Sequence, residues 1–598
     1  MIYGFEMKAL VISVLLAGGL SAASDSGEAV YGQRCARCHE LHDPRIPTRA
    51  TLKTMPATRI LRALNYGAMI SIAYTMTISQ REAVATWLGT AGGDSPPPPS
   101  AFCADRSVRI PDGSATQWNG WSPSASNTRF QPGGAAGLTL DAVHNLKLKW
   151  AFAFDGDLTA FSQPTILGNN LFVGSAGGAI HNLDPQTGCI RWVWQGSGPV
   201  RSSLLVADNL LLFGDQSGWF YALDAVRGQL IWKKKMDPHD ATRITGSAVA
   251  YQGIVFVPVS SWEENRASDP EYACCTMRGS VVALRIRDGS QVWKSYMVDP
   301  PKQIGKNKFG PSGAAIWSAP TIDAKRGLLY VTTGDNYSEP DTKLSDALVA
   351  VDLKSGKIAW SRQFTAKDIF TGGCQAAGYC GPDYDFGSSA MLVDSGGRNL
   401  LVAGQKSGIV YALDPDRKGQ IVWQLRVGEG GNNGGVLWGM AADDRYAYAA
   451  VSDIERRRNA SGDPTDLRTF VPDPDKGGGL TAIRLADGSS AWHVPGHPCD
   501  PPKAGCSPAQ PAAVTGIPGV VFSGSVDGHM RAFGAEDGRV LWDFDTVRSY
   551  DAVNGIKGQG GSIDGPGAVV VNGMVYVNSG YARQGGMPGN VLLAFQSQ

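Results

Sequence analysis

The 598-residue chain is short of charge. Only 18% of its residues are Asp, Glu, Lys or Arg, the two signs cancel at 54 each, and no basic cluster is longer than Arg456-Arg457-Arg458. Such a chain has no surface built for phosphate backbones or acidic polymers, so no nucleic acid partner is expected and a neutral one is favoured. Long amphipathic helical runs are also scarce. With 75 glycines, 35 prolines and 16 tryptophans, what remains is the pattern of a turn-rich all-β protein. The one long apolar run, Ala9 to Leu20, follows Lys8 and ends at Ser21-Ala22-Ala23. It is too short for a comfortable span and reads as an export signal over residues 1–23, leaving an exported chain with no integral membrane segment.

Cysteines number ten, which suits an oxidising compartment. Eight of them group as Cys103 with Cys189, Cys274 with Cys275, Cys374 with Cys380, and Cys499 with Cys506. The two short loops are the safest pairings, while the adjacent Cys274 and Cys275 read equally as a strained ring or as two separate thiols. The other two lie in Cys35-Ala36-Arg37-Cys38-His39, the attachment sequence for haem c: two thiols for the vinyl groups and an imidazole for one axial position on iron.

Residues 24–92 are therefore read as a small all-α N-terminal cytochrome c domain. The second axial ligand comes from Met55, Met69, Met76 or His42. Met69 is favoured over Met76, because it lies in a loop between two expected helices, Ala57 to Asn65 and Ser79 to Leu88. Residues 93–102, with Pro96 to Pro99, form a stiff linker.

Beyond residue 103 the chain repeats itself. A strand ends near Ala-Leu-Asp, a glycine turn follows, and the next strand carries Trp192, Trp232, Trp293, Trp360, Trp423, Trp492 or Trp542. Two orphan halves remain, Leu146 to Trp150 and Leu592-Leu593-Ala594-Phe595, and together they supply an eighth copy. Residues 103–598 thus read as an eight-bladed β-propeller closed by its two ends, which leaves no sheet edge exposed.

In Gly381-Pro382-Asp383-Tyr384-Asp385-Phe386-Gly387 two carboxylates stand two residues apart. An extended backbone would send them to opposite faces, so one at most would enter a buried site; Asp385 is the one favoured.

The eightfold tryptophan repeat resembles the quinoprotein alcohol dehydrogenases, which hold pyrroloquinoline quinone and a metal on the propeller axis. The resemblance implies Asp385 as catalytic base, Lys406 (in Gln405-Lys406-Ser407-Gly408) as the cation at the quinone oxygens, and Trp317 (in Gly313-Ala314-Ala315-Ile316-Trp317) as the floor beneath the cofactor. It also implies Arg201, Thr245 and Ser260 around the cofactor's carboxylates and rim. Calcium would be held by Glu263, Asn336 and Asp385, with Glu264 as the alternative to Glu263. Oxygen donors of these kinds suit a hard cation. Relatives that use lanthanides carry a further aspartate where this chain has Gly387, which favours calcium.

A haem domain that precedes the propeller, with the segments Ser523 to His529 and Gly560 to Gly567, resembles the branch of that family that oxidises polyvinyl alcohol. The resemblance implies a periplasmic enzyme that passes electrons from its substrate through haem c to an external cytochrome c or another respiratory acceptor. Dehydrogenation of small alcohols, polyols or sugars, and a non-enzymatic scaffold binding partners along sheet edges, are the readings it competes with.

Overall fold

The computed structural model describes residues 26–40, 46–66, 69–73, 76–92, 96–111, 117–269, 271–374, 378–460 and 470–598. The expected export signal, His42 and linker residues 93–95 lie outside them. The chain divides into two compact units near residue 95.

Among the described residues the smaller unit holds six helices: Gly27–Arg34, Ala36–His39, Arg49–Leu52, Ala57–Tyr66, Ile70–Ala73 and Ile78–Leu88. The last begins at a reciprocal cap, in which the Thr77 hydroxyl accepts from the Gln80 amide and the Gln80 side chain accepts from the Thr77 N–H. It packs against the first helix with the Tyr31 and Trp87 rings 5.3 Å apart. Val30, Tyr31, Leu52, Leu64, Val84 and Leu88 fill the core between the helices.

The larger unit is an eight-bladed β-propeller. Its blades are antiparallel four-strand meanders: Thr165–Gln195, Leu205–Lys235, Val249–Tyr296, Thr321–Gln363, Met391–Arg426, Ala441–Pro495, Thr515–Asp545, and an eighth built from both ends of the repeat region. In that eighth blade Leu146–Ala153 pairs antiparallel with Val591–Ser597, placing Trp150 opposite Ala594. The other seven tryptophans hold the same register, among them Trp192 opposite Asn182 and Trp293 opposite Ala283.

The repeated residues owe their identity to contacts between blades. The aspartate of the motif closes its own turn: the Asp224 carboxylate accepts from the amides of Val226 and Arg227. The tryptophan reaches the following blade, as Trp232 Nε1 donates to Ile286 O at 2.9 Å and Trp542 Nε1 to Leu146 O at 3.1 Å. Its ring rests on that blade's turn glycine. At Gly228, held at φ +67°, a Cβ would fall 2.6 Å from the Trp192 ring, so both the backbone angle and the space require glycine.

Residues 117–131, ahead of the first blade strand, were not expected to have a distinct place. They run along the inner edges of the blades and hydrogen-bond to seven of the eight. Gln117 and Trp118 pair with Leu167 and Ile166, Asn119 bonds to Val206, and Ala125, Ser126 and Thr128 accept from Ile322, Leu392 and Ala442. Arg129, fully buried, donates to Val514 O, Gln163 and Thr515, and Gln131 donates to Val570 O. Inner-strand groups that would be left unpaired at the axis are satisfied in this way.

Candidate functional site

A four-strand meander brings the loop entering its inner strand and the loop leaving its second strand to the same end. Arg201, Thr245, Trp317, Asp385, Trp438 and Asp564 lie just before the inner strands that begin at Leu205, Val249, Thr321, Met391, Ala441 and Val569. Glu263, Glu264, Asp335, Asn336 and Lys406 follow second strands ending at Ser261, Thr332 and Gly404. The ring thereby gathers residues hundreds of positions apart around one axis.

At the centre, Lys406 Nζ lies 2.6 Å from Asp383 Oδ1 and 3.2 Å from Asp385 Oδ2, with all three side chains buried. The expectation that only one of the two aspartates enters a buried site is corrected here. Asp383 takes φ +58°, so the segment is not extended and alternation does not apply. Asp385 is held further by the Asp335 amide, which donates to Oδ1 at 2.8 Å, and by Trp317 Nε1, which donates to Oδ2 at 3.0 Å.

Carboxylate oxygens of Asp335, Asp383 and Asp385 all lie within 4.8 Å of one another. Burial, followed by repulsion from Asp385 and Asp383, pushes the Asp335 carboxyl well above the usual range. Burial likewise drives Glu264 up to about 7, with the Lys406 charge pulling the other way. Nearby, Asp346 is fully buried and neither of its oxygens has a hydrogen-bond partner. One lysine cannot neutralise so many carboxylates, and a hard, oxygen-preferring cation matches both the donors and the missing positive charge.

The residues expected to ligate calcium fall in different places. Asp385 lies in the cluster. Glu263 is fully buried elsewhere: its Oε1 accepts from the Thr276 amide at 2.8 Å and its Oε2 from the Met277 amide at 2.7 Å, so it secures the loop bearing Cys274 and Cys275. Its neighbour Glu264 is the one that interacts with Asp385 and Lys406. The Asn336 side chain is taken up by its own loop, donating to Asp341 and Ser345 and accepting from Thr342. Asp335, one residue earlier, supplies the oxygen that approaches Asp383 and Asp385.

Beside the cluster is a cavity, partly open to solvent, whose walls include Trp121, Arg201, Thr245, Trp317, Gly387 and Trp438. Lys406 Nζ stands 5.4 Å from the Trp317 ring centre and links cluster to cavity. Trp317 and Trp438 meet edge to face at 5.0 Å, and the Arg201 guanidinium lies 3.9 Å over the Trp438 ring. The Thr245 hydroxyl is buried without a partner. Two aromatic walls, a cation and an unused hydroxyl fit a flat, carboxylated ligand. Ser260, by contrast, is buried in its strand opposite Arg243 and is not part of the cavity wall.

Cys103–Cys189, Cys374–Cys380 and Cys499–Cys506 pair as grouped in the sequence, and Cys274 and Cys275, which the sequence left open, are joined to each other. That vicinal pair, to which the sequence assigned no role, packs with Ala315, Tyr337 and Trp317. Trp438 and Asp564 were also missed. Trp438 breaks the blade register of the other tryptophans, which was the available signal; Asp564 stands in the Gly560 to Gly567 segment that carried the resemblance but no assigned chemistry.

In the helical unit Cys35 and Cys38 are unpaired and half-buried. The buried His39 has its Nδ1 2.7 Å from Pro47 O, a contact in which Nδ1–H is the donor. Met76 is buried in the core, whereas Met69 is half-buried at its margin with Cys35.

A family profile described as outer membrane protein assembly factor BamB matches residues 147–367 and 406–588. A polyvinylalcohol dehydrogenase of Pseudomonas sp. is 38% identical over 98% of this chain and 96% of its own length. Another, from Sphingopyxis sp. strain 113P3, is 34% identical over 95% and 92%. The solved quinohemoprotein alcohol dehydrogenase ADHIIG of Pseudomonas putida HK5 superposes with a TM-score of 0.62 over 83% of each chain at 17% identity, a likeness of fold. Near-full-length identity at this level, on a propeller of eight blades, makes the chain a member of the quinohaemoprotein, pyrroloquinoline quinone-dependent alcohol dehydrogenase family.

Proposed function

We propose that this oxidoreductase is a periplasmic dehydrogenase that converts secondary hydroxyl groups of polyvinyl alcohol to ketones, releasing two electrons and two protons per group. The observation that carries the reading is the position of Asp385, clamped between Lys406 and Trp317 where the carboxylate cluster meets the cavity. Near-full-length relatives named polyvinylalcohol dehydrogenase support the substrate.

Arg201, Thr245, Trp317, Trp438 and Lys406 would hold pyrroloquinoline quinone, and Asp335, Asp383, Asp385 and Glu264 would hold calcium. When bound, the quinone would supply a two-electron acceptor and calcium a Lewis acid. The chain's own part is to bind, orient and move a proton. Asp385 Oδ2 is the base for the substrate hydroxyl, Trp317 and the Asp335 amide fix its direction, and Lys406 supplies positive charge beside it. Residues 24–92 would form the cytochrome c domain, with Cys35 and Cys38 attaching haem and His39 and Met69 as axial ligands. Electrons would leave by that route to an external cytochrome c.

The test is anaerobic: the purified protein, reconstituted with the quinone and calcium, is given polyvinyl alcohol or 2-propanol while haem absorbance is followed, with D385N in parallel. Reduction by the polymer that requires both additions and is lost in D385N supports the reading. Reduction by small alcohols alone moves the substrate to that class, and none from either overturns it.

A further inference from the structure

Asp564 is a carboxylate set behind the cavity wall, one residue before Gly565, which lines it together with Arg201 and Trp438. It is only 5% exposed, and burial raises its pKa to about 6. An acidic side chain next to a pocket for an anionic ligand opposes binding unless it does something else there. Its Oδ1 accepts from Trp438 Nε1. Trp438 in turn is the hub of the wall: Trp317 meets it edge to face, and the Arg201 guanidinium lies 3.9 Å over its ring. The Arg201 guanidinium also donates to the Tyr581 hydroxyl at a long 3.4 Å and its charge faces the Asp564 carboxyl, but the indole face is the surface it rests on. Without an acceptor for its N–H, the indole could turn about its side-chain bonds and take both neighbours with it.

We propose that Asp564 is a positioning residue: by accepting from Trp438 it fixes the indole, and through it the Arg201 charge, in the orientation that receives a planar, polycarboxylated quinone. The inference rests on the cofactor reading above. It predicts that the hydrogen-bond acceptor at 564 matters and that its negative charge does not, since an amide oxygen can accept the same bond without opposing an anion.

The experiment is calorimetric titration of pyrroloquinoline quinone, with calcium present, into the full-length protein and its D564N, D564A and W438F variants. D564A should bind at least about tenfold more weakly than the starting protein, and W438F, which keeps a ring under Arg201 but loses the N–H, should weaken binding similarly. D564N should stay within about threefold. Equal affinity in D564A, or D564N as weak as D564A, overturns the assignment; if D564A does not fold, D564N and W438F decide, and wild-type affinity in W438F overturns it equally. Failure of the unmodified protein to bind quinone would instead bring down the cofactor reading, and this proposal with it.

Discussion

Trp317 donates its indole N–H to Asp385 at 3.0 Å, so the cavity floor and the proposed base form one unit. A W317F variant keeps an aromatic floor and removes that bond. Alcohol-dependent haem reduction should slow by about tenfold, the scale of one lost orienting hydrogen bond. The thermal shift produced by calcium should persist. Loss of both would mean that Trp317 supports the fold and not the base.

Lys406 is the cation shared by Asp383 and Asp385. K406M leaves two buried carboxylates without it, and breaking such a pair costs about 3–5 kcal/mol. The melting temperature should fall accordingly and recover in part with millimolar calcium, whose charge can stand in for the lysine. An unchanged melting temperature would show that the carboxylates are already neutral.

The raised Asp564 pKa has a signed effect on stability. The folded protein binds this proton more tightly than the unfolded chain does, so the group favours folding most at low pH. That contribution disappears as pH rises from about 3.8 to about 6. D564N and the unmodified protein should therefore melt together near pH 4, with D564N pulling ahead by on the order of 3 kcal/mol above pH 6.5. The Arg201 charge facing the carboxyl reduces the gap. A gap independent of pH would rule out titration of this residue as its source.

Gly387 sits where a Cβ would fall 2.0 Å from the Trp317 ring and 2.3 Å from Leu437 O. G387A should displace the floor and weaken quinone binding at least about tenfold while the blades stay folded, as read by calorimetry and far-ultraviolet circular dichroism. The same crowding leaves no room for an additional acidic ligand at this position.

Cys103 is tied to Cys189 across 86 residues of sequence. Opening a loop of that size in a C103S/C189S variant should remove roughly 4–5 kcal/mol by the chain-entropy model. Denaturant unfolding of the propeller under non-reducing conditions measures it.

The ring was legible in the sequence because its grammar is local. Glycine and tryptophan recur at short spacing, every copy carries the same bulge beside its tryptophan, and most share the same turn and inter-blade contact. Closure was legible because the half-repeats at Trp150 and Ala594 complete one another. Asp385, Lys406 and Trp317 could be named from the order in which family segments occur. Which residue of a loop turns inward was not legible, since that depends on backbone angles and distant partners. Glu263 is claimed by amides thirteen and fourteen residues away, and the inward role passes to Glu264. Asp383 joins Asp385 because its φ is positive. Trp438 and Asp564 acquire meaning only when blades six and eight are brought together.

The segment from Gln117 to Gln131 gives the cavity an underside, since Trp121 belongs to both. With Trp121 across that side, a group seated in the cavity is expected to leave past anything that arrived later. Cofactor retention then becomes a question of traffic as well as affinity: a bulky alcohol occupying the mouth should slow escape of the group beneath it, and a protein at work should lose its cofactor more slowly than one at rest.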